Sequence, residues 1–135
     1  MAKSVPTFPY QYKQIDLGRI FNPLALIPVR ASWGWQHLWF LIDSGADVTM
    51  LPISLANRLG IKYESNIKTK LYGIGQQALL ASPGKIKLMI DNREIEVRSY
   101  FVHSQDSILL LGRLDIFEQF SVSFDKLLQL VVFSN

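Results

Sequence analysis

Leu38-Trp39-Phe40-Leu41-Ile42-Asp43-Ser44-Gly45-Ala46-Asp47-Val48-Thr49-Met50-Leu51-Pro52 is the stretch on which the reading of this chain turns. Two apolar, strand-like runs, 38–42 and 48–52, are joined by a polar turn that sets a carboxylate beside a glycine. An ionised carboxylate buried without a partner is costly, so an acid in such a place is paired or put to use. The residues leave two readings open. In one, Asp43 caps its own backbone and Gly45 supplies the positive φ of a tight turn. In the other, Asp43 is a reactive acid, and the continuous apolar sequence on both sides favours that reading over a surface hairpin. The chain has one Asp-Ser-Gly, so chemistry needing two such acids requires a second copy of the chain.

Outward from this stretch, the chain reads as short strands with few helices. Residues 1–16, with Pro6 and Pro9, form an extended or loosely attached N-terminal arm, and 17–135 a single domain. Ile20-Phe21 and 24–29 read as strand. Ser32-Trp33-Gly34 turns the chain into 36–42, a hairpin. Downstream, 48–51 is a strand and 52–59 a short helix, with Pro at its start and Gly60 as its stop. Segments 67–72 and 77–81 flank Gly73-Ile74-Gly75, a glycine-tipped hairpin. Segments 85–90 and 95–102 flank the turn Asp91-Asn92-Arg93-Glu94. The wholly apolar 108–111 is a buried strand. Residues 113–119 suit a second short helix, and 121–124 with 127–133 a terminal hairpin. Many short strands with one or two short helices predict an all-β barrel or sandwich.

Composition narrows the function classes. At 135 residues with 49% hydrophobic and 19% charged, the chain buries a sizeable core and is not globally disordered. It has no cysteine, which excludes disulfides, thiolate metal sites and a cysteine nucleophile. The net charge of +3 is scattered rather than blocked, so nucleic acid is not an expected partner. Met1-Ala2-Lys3-Ser4-Val5-Pro6 lacks the apolar core of a signal peptide, and no stretch approaches the ~20 apolar residues of a membrane span. A cytoplasmic protein without a membrane partner is expected. His37 and His103 are isolated, and no metal site is expected.

Three elements occur in a suggestive order: Asp43-Ser44-Gly45-Ala46, Gly73-Ile74-Gly75, and Leu109-Leu110-Leu111-Gly112-Arg113. This order resembles the retropepsin-like aspartic proteases, the family of retroviral proteases and their cellular relatives, over nearly the whole chain from Leu24 to Phe133. The tail 111–117 followed by 120–125 looks like stand-alone cellular members. The resemblance implies a retropepsin-like acid-protease barrel, a homodimer, a peptide or protein substrate, and no cofactor. It implies a catalytic pair of Asp43 side chains, one from each copy. Two carboxylates roughly 3 Å apart cannot both ionise, so they share a proton: one activates water as general base while the other polarises the scissile carbonyl.

The same resemblance implies the remaining roles. Ser44 bonds across the dimer, Gly45 lets backbone approach, and Ala46 continues the loop. Asp47 and Arg113 pair beneath it, the guanidinium fork suiting a carboxylate. Gly73, Ile74 and Gly75 tip a flap that closes over the substrate, and Val48, Ile74, Ile108 and Leu110 line its pockets. From the residues alone, the glycine hairpin also suits a structural turn, and the apolar four also suit core packing. An alternative reading of the whole chain is a dimeric binding or assembly module with little turnover, to which Gln76-Gln77 beside the flap tip points.

Overall fold

Strand-forming stretches alternate with turns whose residues supply the backbone geometry required. The structure is a computed structural model describing residues 6–72, 78–104 and 109–135. The chain runs through β1 (Thr7–Pro9), β2 (Gln11–Ile15), β3 (Gly18–Asn22), β4 (Leu24–Ala31), β5 (Gly34–Ile42) and β6 (Thr49–Pro52). Then come α1 (Ile53–Leu59), β7 (Thr69–Tyr72), β8 (Ala78–Ile90), β9 (Arg93–Val102), β10 (Leu110–Leu111), β11 (Ser121–Asp125) and β12 (Leu130–Ser134). The main sheet has seven strands in the order β4-β5-β10-β6-β9-β8-β7, and a further β4–β8 pairing closes it on itself. A three-stranded sheet, β1-β12-β11, and the β2–β3 hairpin complete the fold.

Alternation fills the core. Ala25, Ile27, Val29 and Ala31 of β4 are buried, as are Ile95, Val97, Ser99 and Phe101 of β9. All but Ser99 meet Phe40, Ile42, Leu51, Leu111 and Phe133 in one cluster, each large apolar member stabilising the fold by about 1.5–3 kcal/mol. The β8–β9 turn holds Asp91 and Asn92 both at φ +56°, a left-handed pair that matches strand twist and that Asp and Asn tolerate. Helix α1 follows Pro52, ends on Gly60 at φ +70°, and buries Leu55, Ala56 and Leu59. No helix among the described residues is long and apolar enough to cross a membrane.

Three expectations change in detail. Residues 113–119 form successive turns rather than a second helix. Asp115 sits at φ +66°, a left-handed conformation that breaks α-helical continuity, and α1 is the one helix among the described residues. The last strand is 130–134 rather than 127–133: Leu127 and Leu128 lie in the preceding turn and are exposed, held where the Leu128 N–H donates to Asp125 Oδ1 at 3.0 Å. The arm is extended but tied down. Its β1 pairs with β12 from Thr7↔Val132 to Pro9↔Leu130, and its β2 pairs with β3.

Candidate active site

Strand β10 creates the site. It pairs in parallel with β5 (Leu110↔Leu41, Leu111↔Ile42) and antiparallel with β6 (Leu110↔Met50). The chain leaving β5 must therefore round the end of β10 before returning as β6, and residues 43–48 make that loop. Backbone bonds to 111–114 clamp it. The Asp43 N–H donates to the Leu111 carbonyl (3.0 Å), the Arg113 N–H to the Ala46 carbonyl (3.0 Å), and the Leu114 N–H to the Asp47 carbonyl (2.9 Å). Inside the loop, the Ala46 N–H donates to the Asp43 carbonyl at 3.1 Å. The Gly112 N–H donates to the fully buried Thr49 Oγ1 at 3.0 Å. A Cβ on Gly112 would lie 2.4 Å from the Val48 carbonyl carbon, so only glycine permits this approach.

The Asp43 carboxylate is half-buried at the loop tip, with Ser44 and Gly45 exposed beside it and Ala46 buried behind. Its Oδ1 accepts the Gly45 N–H at 2.9 Å. Asp43 thus caps its own turn, and the capping and reactive readings describe the same atoms. Gly45 does not take the positive φ expected of it: among the described residues the positive-φ glycines are Gly18, Gly34 and Gly60. A Cβ there would stand 3.2 Å from Asp43 Oδ1, so the need for glycine comes from close approach. Among the described residues the Ser44 hydroxyl makes no hydrogen bond.

Arg113 and Asp47 do meet, Nη2 donating to Oδ1. The setting is open, however, with the side chains 55% and 83% exposed, not the mostly buried one expected of a pair beneath the loop. A second pair on the same segment went unforeseen. Asp115 accepts both Arg98 Nε (3.0 Å) and Nη2 (2.8 Å), and also the Arg98 backbone N–H (2.9 Å). The Arg98 hydrogen bonds hold the Asp115 carboxyl below the usual carboxylate range against the opposing effect of burial, and raise Arg98 in return. No local signal marks this partner, since the two lie on different elements.

Leu110 belongs to an apolar row that crosses the sheet beside Asp43. Registers Leu24↔Leu41, Leu41↔Leu110, Leu110↔Met50, Met50↔Tyr100 and Tyr100↔Pro83 place six half-buried side chains on one face. Leu41 could have been found by counting two back from Asp43 along the strand, whereas Leu24, Met50 and Tyr100 needed the strand order. Val48 lies off this row and lines a neighbouring cleft. Gly73, Ile74, Gly75 and Ile108 lie outside the described residues, as do Gln76 and Gln77. His103 Nε2 lies 3.1 Å from Ser82 Oγ, away from the Asp43 loop. Among the described residues no three His, Asp or Glu side chains converge as a metal-ligand set.

A retropepsin-like aspartic protease from Rickettsia conorii superposes with a TM-score of 0.59 at 18% identity, covering 96% of this chain and 99% of that one. EIAV protease, solved in complex with an inhibitor, superposes with a TM-score of 0.54 at 22% identity, covering 68% of this chain and 82% of that one. The fold is therefore retropepsin-like. No curated protein matches by sequence. The family model described as "Aspartyl protease" matches residues 27–113, from β4 through the Asp43 loop to the glycine and arginine that clamp it. With more than half of its length in that match and the corresponding fold, the chain belongs to the aspartyl protease family.

Proposed function

We propose that two copies of this chain form an aspartic endopeptidase in which Asp43 of each lies beside the two-fold axis. The observation that carries this reading is the placement of Asp43: one half-exposed carboxylate per chain, on a loop fixed by backbone bonds and facing an apolar row. One carboxylate takes a proton from the attacking water while the other, protonated, donates to the scissile carbonyl; the roles then reverse as the amine leaves. Ser44, exposed in one chain, would bond to the second copy and hold the two loops in register. Gly73, Ile74 and Gly75 would close over an extended peptide, and Val48, Ile108 and Leu110 would contact its side chains.

The dimer contact would not run through β12. β12 is the middle strand of its sheet, paired with both β1 and β11, and its Val131 and Phe133 are buried in the core. It has no free edge to offer. The outer edge of β1 is blunted by Pro9, which lacks an N–H donor, whereas the outer edge of β11 carries neither Pro nor Lys, the usual guards against edge pairing. β11 is thus the strand through which a second copy would extend the sheet across a two-fold axis, in an interface of about 2,000 Å² or more.

Cleavage of a denatured protein tests the reading. Activity abolished by pepstatin-type inhibitors and by Asp43→Asn is expected. A folded dimer that cuts nothing would point instead to a binding module, and full activity from a monomer in sedimentation would overturn the shared dyad.

A further inference from the structure

The outer face of the β4–β5 hairpin is aromatic and open. Ala25, Ile27, Val29 and Ala31 of β4 point into the core, so their alternates Leu26, Pro28 and Arg30 point out. Opposite these in register stand Trp39, His37 and Trp35. Trp39 is 45% exposed, and Trp33 at the hairpin turn is 61% exposed. Large aromatic rings left open on a sheet face, with polar neighbours, mark an interaction surface. Trp35, His37 and Trp39 are alternate residues of one strand, so their attachment points are about 6.6–6.8 Å apart. That is about twice the 3.4 Å thickness of a flat ring in a stack, so a planar group fits between neighbours.

Two cations flank this ladder. Val29 and Leu88 pair across β4 and β8 and are both fully buried, so Arg30 and Lys87, the residues next to them, share the outer face. Both are exposed, and neither makes an ion pair among the described residues. The Arg30 guanidinium lies 5.6 Å from the centre of the Trp35 ring, within cation–π range. Of the acids on the adjoining β9, Glu96 lies 3.7 Å from Lys85, and Glu94 stands opposite Met89. Charge scattered along the sequence gives no reason to expect such a site; strand pairing assembles it. The guest that suits this face carries flat rings at close intervals and negative charge between them. An acidic peptide supplies the charge without the rings, and an apolar one would bury two unpaired cations at a cost. A single-stranded nucleic acid supplies both, whereas a duplex keeps its bases stacked on one another.

We propose that the outer face of β4 and β5 binds single-stranded nucleic acid, its bases stacking on Trp35, His37 and Trp39 and its phosphates meeting Arg30 and Lys87. Stacking and phosphate contacts do not depend on the sugar, so DNA and RNA should bind alike. The face uses neither Asp43 nor its loop, so this site and the proteolytic reading stand or fall separately. Binding is measured by fluorescence anisotropy with short labelled oligo-dT and oligo-U, an abasic strand of equal charge, a duplex, and a polyglutamate peptide of equal charge. Both oligonucleotides should bind, and the other three should bind about tenfold more weakly or worse. Trp39→Ala should cost a similar factor, and Trp39→Phe, which keeps a ring, should restore most of it. If Trp39→Ala does not fold, His37→Ala, at an exposed position, carries the stacking test. Arg30→Gln and Lys87→Gln should each lower the slope of log affinity against log salt by about 0.7, an effect that a purely structural role would not produce. The proposal is overturned if neither oligonucleotide binds, or if the abasic strand, the duplex or the peptide binds as well as oligo-dT, which would mean attraction by charge alone or a protein partner. It is equally overturned if the folded ring-deleted variant and Lys87→Gln both bind as wild type does.

Discussion

Two arginine–carboxylate pairs anchor the same short segment; their arginines are about equally exposed, at 55% and 60%, but their carboxylates and their bonding differ. Arg113–Asp47 joins that segment to the Asp43 loop through one contact, with both side chains more than half exposed. Asp115–Arg98 ties that segment to β9 through three hydrogen bonds, with Asp115 only 17% exposed. Exposed pairs contribute little because water and salt screen them, whereas a forked, shielded pair keeps its charge-assisted bonds. The pair written into the motif is therefore the weaker one within a single chain, and the stability of the loop's far side rests on a carboxylate outside the motif.

The largest effect belongs to the residue next to both pairs. Gly112→Ala would drive a methyl into the backbone at Val48 and Thr49, with contacts from 2.4 to 2.8 Å. A cost above about 3 kcal/mol is expected, read as loss of cooperative unfolding in urea; a stable Gly112→Ala chain would mean that the clamp yields. Next comes Asp115→Ala, which removes the three hydrogen bonds and leaves alanine at φ +66°. About 2–3 kcal/mol should be lost. Asp115→Asn, which tolerates that backbone, should lose about 1–2 kcal/mol.

The same pair predicts a pH dependence. Arg98 holds the folded-state pKa of Asp115 below the ordinary carboxylate value, so its contribution is complete above about pH 5, and it fades as pH falls through about 4 towards the folded-state value. The stability gap between wild type and Asp115→Asn, measured by denaturant titration, should shrink over that acid range and stay flat from neutral pH down to its start. A gap that grows on acidification would contradict the pairing. The smallest effect is Arg113→Ala, at most about 1 kcal/mol in the unassociated chain. If it equals Asp115→Ala there, the contrast between the pairs collapses. If it becomes large only under conditions where the dimer forms, a second copy covers the Asp47–Arg113 pair.

Much of the fold was legible because it depends on local chemistry. Apolar runs between turn residues marked β4 and β5, apolar alternation marked β9, Pro52 and Gly60 bounded α1, and the apolar flanks of Asp43 placed it at a strand end. The reading erred where local preference met a non-local partner. Residues 113–119 have helical composition, but Asp115 turns left-handed and bonds to Arg98 on a strand 17 residues earlier in the chain. Residues 127–133 are apolar enough for one long strand, yet the strand starts only at Leu130, opposite Asp125 and Pro9.

The sequence by itself determined that Asp43 sits on a glycine turn between strands, that one such acid is present per chain, and that Asp47 and Arg113 are available to pair. These follow from spacing along the chain. The tertiary structure decided that β10 threads between β5 and β6 and forces the loop outward, that Leu24, Leu41, Leu110, Met50 and Tyr100 share one face, and that β12 is central rather than an edge. It also decided that Asp115 carries the stronger ion pair. Strand order and register set those outcomes, because they bring together residues far apart in sequence whose own preferences are compatible with several pairings.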